Sequence, residues 1–92
     1  MRKEAEYFDD QTVVLVLIAK RLREAKAAEE TLTQEGIAFC VEADQYEGGL
    51  LFRTTRTGAF FYVGAADEQS AVDVLEREGI RPLPPELRSH HE

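Results

Sequence analysis

Two clusters in this chain have residue types and spacing that could hold an anion. Arg53-Thr54-Thr55-Arg56-Thr57-Gly58 sets two arginines among hydroxyls, and no acidic residue occurs from Gly48 to Ala66. A guanidinium offers paired donors to phosphate or carboxylate oxygens, and Arg53, Thr55 and Arg56 are the candidate ligands there. The second cluster is Lys20, Arg21, Arg23 and Lys26, crowded at the start of a predicted helix. Cations at a helix N-terminus oppose its dipole by about 0.3–1 kcal/mol each. A bound anion would offset that cost, because exposed N–H groups at a helix start attract anions. Lys20, Arg21 and Arg23 are the candidates in this second site. Both clusters also have plainer readings. The first suits a solvated hairpin whose edge charges deter aggregation. The second suits pairing with Glu24, Glu29 and Glu30 on the helix surface, Lys26 and Glu30 being four residues apart. No glycine-rich phosphate loop precedes it.

The other reactive residue types do not assemble into a catalytic set. Cys40 lies between Phe39 and Val41 in a predicted strand, where a thiol packs as a small apolar group. His90 and His91 are the only histidines and sit with Glu92 in what reads as a disordered tail. They cannot complete a preorganised metal site or serve as an acid–base pair inside the fold. Asp9-Asp10, and Asp44 with Glu47, are carboxylate pairs in polar segments, without a pocket to drive their pKa values apart. Ser70 and Ser89 have no histidine partner in the domain to activate them. Pro82-Leu83-Pro84-Pro85 reads as a stiff segment ending the fold rather than as a polyproline ligand. The expectation is no catalytic residue, no metal and no cofactor.

The bulk numbers restrict the remaining classes. The 92 residues form one domain, and a net charge of −7 repels nucleic-acid phosphates. The longest apolar run, Val13 to Ala19, falls far short of the about 20 residues that span a bilayer. The charged start, Met1-Arg2-Lys3-Glu4, does not read as a signal peptide. A single cysteine forbids an intramolecular disulfide, so a cytoplasmic, reducing location is expected.

The elements that must position these residues follow from periodicity. Residues 1–12 read as a loosely held polar arm. Val13 to Ala19 is a short, β-branched run, predicted as a central strand buried on both faces. Lys20 to Glu35 is predicted helical, with Leu22, Ala25, Ala28 and Leu32 on one face. Ile37 to Val41 is predicted as a strand and Glu42 to Gly49 as a loop. Leu50–Thr55 and Ala59–Val63 are two more strands, joined by a hairpin turn at Arg56-Thr57-Gly58. Asp67 caps a second helix whose buried face is Ala71, Val72 and Leu75. Three prolines in Pro82 to Pro85 leave room for at most a short edge strand near Ile80–Leu83. The domain is placed at 13–83, with a flexible tail over 84–92.

The two predicted helices end alike. Leu32-Thr33-Gln34-Glu35-Gly36-Ile37 and Leu75-Glu76-Arg77-Glu78-Gly79-Ile80 share Leu, Glu, Gly and Ile at the same offsets. The chain thus reads strand–helix–Gly-Ile twice, with a hairpin between. That is an α+β, ferredoxin-like split βαβ sandwich: one antiparallel sheet with two helices on one face. Two helices cover only one sheet face, yet the strands are apolar on both. Several large side chains would then face water in a monomer, so a homodimer through the open face is expected. The competing reading is that the arm, with Tyr7 and Phe8, or the tail folds over that face.

Glu24-Ala25, Leu32 and Gly36-Ile37, followed by Val63, Asp67-Glu68, Ala71 and Leu75, form a pattern over Val13 to Ile80. It resembles the small bacterial domain-of-unknown-function family labelled as prokaryotic signal-transducing proteins. The resemblance implies a ferredoxin-like fold reminiscent of PII-type regulators, and it transfers no catalytic residue. The expected function is a binding or regulatory module acting through a protein partner, as a homodimer and without nucleic acid or membrane. The alternatives are a sensor of a small anionic ligand and a dimeric α+β barrel enzyme.

Overall fold

The computed structural model describes residues 1–48, 54–88 and 90–91. The elements run β1 (Val13–Ala19), α1 (Leu22–Gln34), β2 (Phe39–Gly48), β3 (Thr54–Gly64), α2 (Glu68–Arg77) and β4 (His90–His91). The sheet order is β2-β3-β1-β4 and every strand pair is antiparallel. This order, with a helix after β1 and another after β3, is the ferredoxin-like α+β plan.

The core lies between the helices and one face of the sheet. Val14, Val16, Phe39, Phe61 and Val63 meet Ala28, Leu32, Ala71 and Leu75 there, and each is fully buried. Phe39 and Phe61 stack with ring centroids 5.8 Å apart. A bulge between Leu15 and Leu17 puts both Val16 and Leu17 into this core. The extra residue breaks the alternation that would send one of them to the far face.

The repeated helix ends have one physical cause. Gly36 and Gly79 take φ values of +71° and +76°. Ile37 then donates its N–H to the Leu32 carbonyl, and Ile80 to that of Leu75. Each glycine admits a left-handed turn that caps the helix, and each Leu–Ile pair closes that turn apolarly. A bridge from Arg77 to Glu35, 3.2 Å long, ties the two ends together.

Several sequence expectations need correction. Residues 42–48 are strand, not loop, and Arg56, Thr57 and Gly58 lie within β3, not in a turn. Their β-branched and alternating residues extend the ladder without a bulge from Phe39↔Val63 to Gly48↔Thr54. The connection, including Leu50 to Arg53, lies outside the described residues. Asp67 precedes α2, but its side chain makes no cap bond, since a 3₁₀ turn at Ala65–Asp67 leads directly into the helix. No strand forms at Ile80–Leu83; there the Leu83 N–H donates to the Val16 carbonyl. The edge strand forms instead at His90–His91, opposite Val14 and Val13, within the segment expected to be a tail. Arg88, nearly buried, reaches Glu68 at the start of α2 over 3.3 Å.

The arm is also docked. Phe39 donates its N–H to the Met1 carbonyl, and Lys3 donates to Phe39, making a short parallel bridge on the outer edge of β2. The chain then crosses onto the open sheet face, where Phe8 is buried. Leu15, Cys40 and Phe60, on that face, are only 7%, 7% and 8% exposed in the single chain. These three side chains do not meet the premise of the expected homodimer, large apolar side chains facing water on this face, whereas Ile18 and Tyr62 of the same face are partly exposed. No helix among the described residues is long and apolar enough to cross a membrane.

Candidate functional site

The structure keeps one of the two predicted anion clusters and takes the other apart. In β3, Thr55 and Arg56 are consecutive strand residues and point to opposite faces. Arg56 shares the open face and stands opposite Tyr46, while Thr55 is exposed on the helix side. Arg53 lies outside the described residues. A turn would have let Thr55 and Arg56 converge; a regular strand does not.

Lys20, Arg21 and Arg23 remain together and exposed where β1 passes into α1. Arg21 is the residue before the first helical turn and has extended backbone, with no side-chain cap. Glu24 answers instead, its carboxylate accepting the Lys20 N–H at 3.0 Å. A first-turn carboxylate also complements the positive end of the helix dipole. The Lys20 ammonium sits 5.5 Å from the centre of the Tyr46 ring, within cation–π reach.

Two cavities open on either side of this cationic ridge. The larger, about 620 Å³, runs between the first turn of α1 and the turn after α2, over Ala27, Gly79 and Ile80, with Arg23 at its side. The smaller, about 380 Å³, lies between α1 and the projecting β2–β3 ladder. Its floor is Ala19, Ala25, Val41, Ala43 and Ala59, and its rim carries Arg2, Lys20, Arg21 and Leu22. The cavity exists because that floor is built from short side chains, which leave the helix nothing to pack on. Leu22, expected on the buried face, is for the same reason 75% exposed.

Arg2 is the member sequence reasoning missed. It comes from the docked arm and is held over α1 by a 3.1 Å bridge to Glu29. The only local signal was Glu29 itself, expected to pair with the helix's own cations. Two separate segments thus bring positive charge to one apolar hollow: the arm with Arg2, and the β1–α1 turn with Lys20 and Arg21.

A third cavity, about 500 Å³, lies on the open sheet face beneath the arm and has the opposite character. Asp9, Asp10 and Glu42 line it with Phe8, Cys40 and Tyr62. Burial, then the Glu42 carboxylate, pushes the Cys40 thiol up from its ordinary range, against a weaker pull from Arg2. Burial, followed by Glu42, Asp44 and Cys40, likewise raises the Tyr62 phenol. Both groups are held in their neutral, protonated forms. This suits packing rather than nucleophilic attack, which needs the thiolate. Among the described residues, no group of three His, Cys, Asp or Glu side chains is placed to hold a metal ion.

Comparison with protein-family models, curated proteins and solved structures gives no match for this chain.

Proposed function

We propose that this chain is a non-catalytic binding module that regulates through contact with a partner, recognising an anionic group at the start of α1. The observation that carries this reading is the convergence of Arg2, Lys20 and Arg21 around a hollow with an apolar floor, in a chain of net charge −7. Cations over an apolar surface favour a ligand that combines carboxylate or phosphate groups with hydrocarbon. The surrounding negative charge disfavours polyanions such as nucleic acid while leaving this local site attractive. The resemblance to the signal-transducing family accords with a regulatory use, and the lone buried Cys40 with a reducing compartment. We take the module to act as a single chain, since Leu15, Cys40 and Phe60 of the open sheet face are already buried within it.

Titration with an acidic peptide, followed by fluorescence anisotropy at two salt concentrations, tests the reading. Binding should weaken with salt, as expected of exposed charge pairs. Arg21→Glu should weaken it by about tenfold or more, the cost of replacing an attraction with a repulsion. Unchanged affinity in Arg21→Glu would remove the site from consideration. Inorganic phosphate in the same assay separates a small-anion sensor from a peptide-binding module.

A further inference from the structure

The outer edge of β2 remains open beyond the point where the arm leaves it. Phe39 directs both its N–H and its carbonyl away from β3, to Met1 and Lys3. The β2–β3 register continues from there without a bulge. Backbone direction in an antiparallel ladder alternates with period two. Val41, Ala43 and Gln45 therefore turn their N–H and C=O groups outward as Phe39 does. The Gln45 N–H is taken by the Asp44 carboxylate at 2.7 Å, which closes the edge at that point. Among the described residues, no backbone group pairs with the outward groups of Val41 and Ala43.

The same period fixes the surroundings of these open groups. The side chains of Val41 and Ala43 belong to the floor of the cavity rimmed by Arg2, Arg21 and exposed Leu22. Glu42 and Asp44 project from the opposite face. The arm shows that this edge accepts added backbone, since residues Met1 to Lys3 already pair with Phe39 there in a short parallel bridge.

We infer that the edge from Val41 to Asp44 docks an extended segment of a partner protein as an added strand. That segment carries apolar and acidic side chains toward the cavity and basic ones toward Glu42 and Asp44. Main-chain hydrogen bonds hold such a guest, and alternate side chains select it. A second copy of this chain fits less well, because pairing two β2 edges would crowd their acidic residues together. The inference rests on the cationic recognition proposed above and adds the form of the ligand.

The probe is a fluorescent peptide alternating valine and aspartate on one face with lysine on the other. The readouts are anisotropy and amide hydrogen exchange on the full chain. Binding should protect the Val41 and Ala43 amides, and a scrambled peptide should not. N-methylation of the peptide's edge-facing amides should weaken binding about tenfold, as expected for losing one or two hydrogen bonds. Ala43→Pro should do the same, because it removes an outward N–H and spares the ladder to β3. The N-methylated peptide keeps the test valid should that variant not fold. Four results would overturn the inference: no binding of the probe, no protection at Val41 and Ala43, equal binding of the N-methylated peptide, or protection of those amides that grows with protein concentration alone. Binding that ignores N-methylation yet falls in Arg21→Glu would leave the anionic site standing and remove strand addition. Binding that ignores Arg21→Glu would remove the anionic site itself.

Discussion

On the helix side of the sheet, Val14, Phe39, Phe61 and Val63 lie under α1 and α2 and are wholly buried in one apolar cluster. On the other side, Leu15, Cys40 and Phe60 are almost as deeply buried, but the cavity there also holds Asp9, Asp10, Glu42 and Tyr62. The two faces share one backbone and differ in their cover. Amphipathic helices make a dry layer because one whole stripe of each is apolar. A twelve-residue arm with one buried aromatic can seat an anchor, but it brings its carboxylates with it. A face can therefore be buried in area and still be polar in character.

The largest test of that contrast is a pair of truncations. Phe61→Ala, on the helix side, should cost about 3–5 kcal/mol in chemical denaturation, the range for emptying a packed aromatic site. Phe8→Ala, on the arm, should cost less, about 1.5–3 kcal/mol, because the arm can leave without opening a void in the main core. Equal losses would mean that the arm is as integral as the helices. Phe8→Ala should also speed alkylation of Cys40, which in the intact chain is expected to be slow because the thiol is buried and its pKa raised.

Substitution at the helix ends comes next in size. Gly36→Ala and Gly79→Ala each place a Cβ on a left-handed residue, at a cost of about 1–2 kcal/mol. Similar losses of thermal stability are expected at the two sites, since their capping geometry is the same and neither Cβ would meet another atom within 4 Å. Unequal losses would show that the sequence repeat hides unlike packing.

The smallest effect is on pH dependence, and on the open face it comes from Cys40 and Tyr62. Cys40 and Tyr62 are raised above their ordinary values of 9.0 and 10.0 by burial, so the folded chain binds their protons more tightly than the unfolded chain. The stability these two groups contribute should then be fully present below about pH 8.5 and fall as pH rises through 9 and beyond. Thermal midpoints in Cys40→Ser should fall less steeply over that window. A midpoint that rises through it would reverse the assignment.

What was legible in the sequence was whatever packing writes as a local period. The seven apolar residues of β1, the three-and-four spacing of α1 and the paired Leu–Gly–Ile helix ends each reflect contacts made within or beside their own element. The β2–β3 ladder was misjudged where it projects past the helices. There both faces of Glu42 to Gly48 can be polar, and the strand loses its alternation. The docking of the arm was likewise unreadable, because Arg2 and Phe8 find their partners, Glu29 and the open face, far along the chain. The cationic site was half legible for the same reason. Lys20, Arg21 and Arg23 are neighbours in sequence, while Arg2 and the floor of alanines reach them only through the fold.

The strand made first is central in the sheet, and its partners come late. Val13 to Ala19 pairs with β3 and, at its outer edge, with residues 90–91. During synthesis this run of β-branched and apolar residues must therefore wait through most of the chain before either edge is covered. The β2–β3 ladder, joined through a short connection, can close first, since nearby contacts lose less chain entropy on forming. Assembly should thus proceed from the middle of the sequence outward. In the interval, β1 is the segment most open to pairing with another nascent copy, as expected of a short, uncharged, proline-free strand.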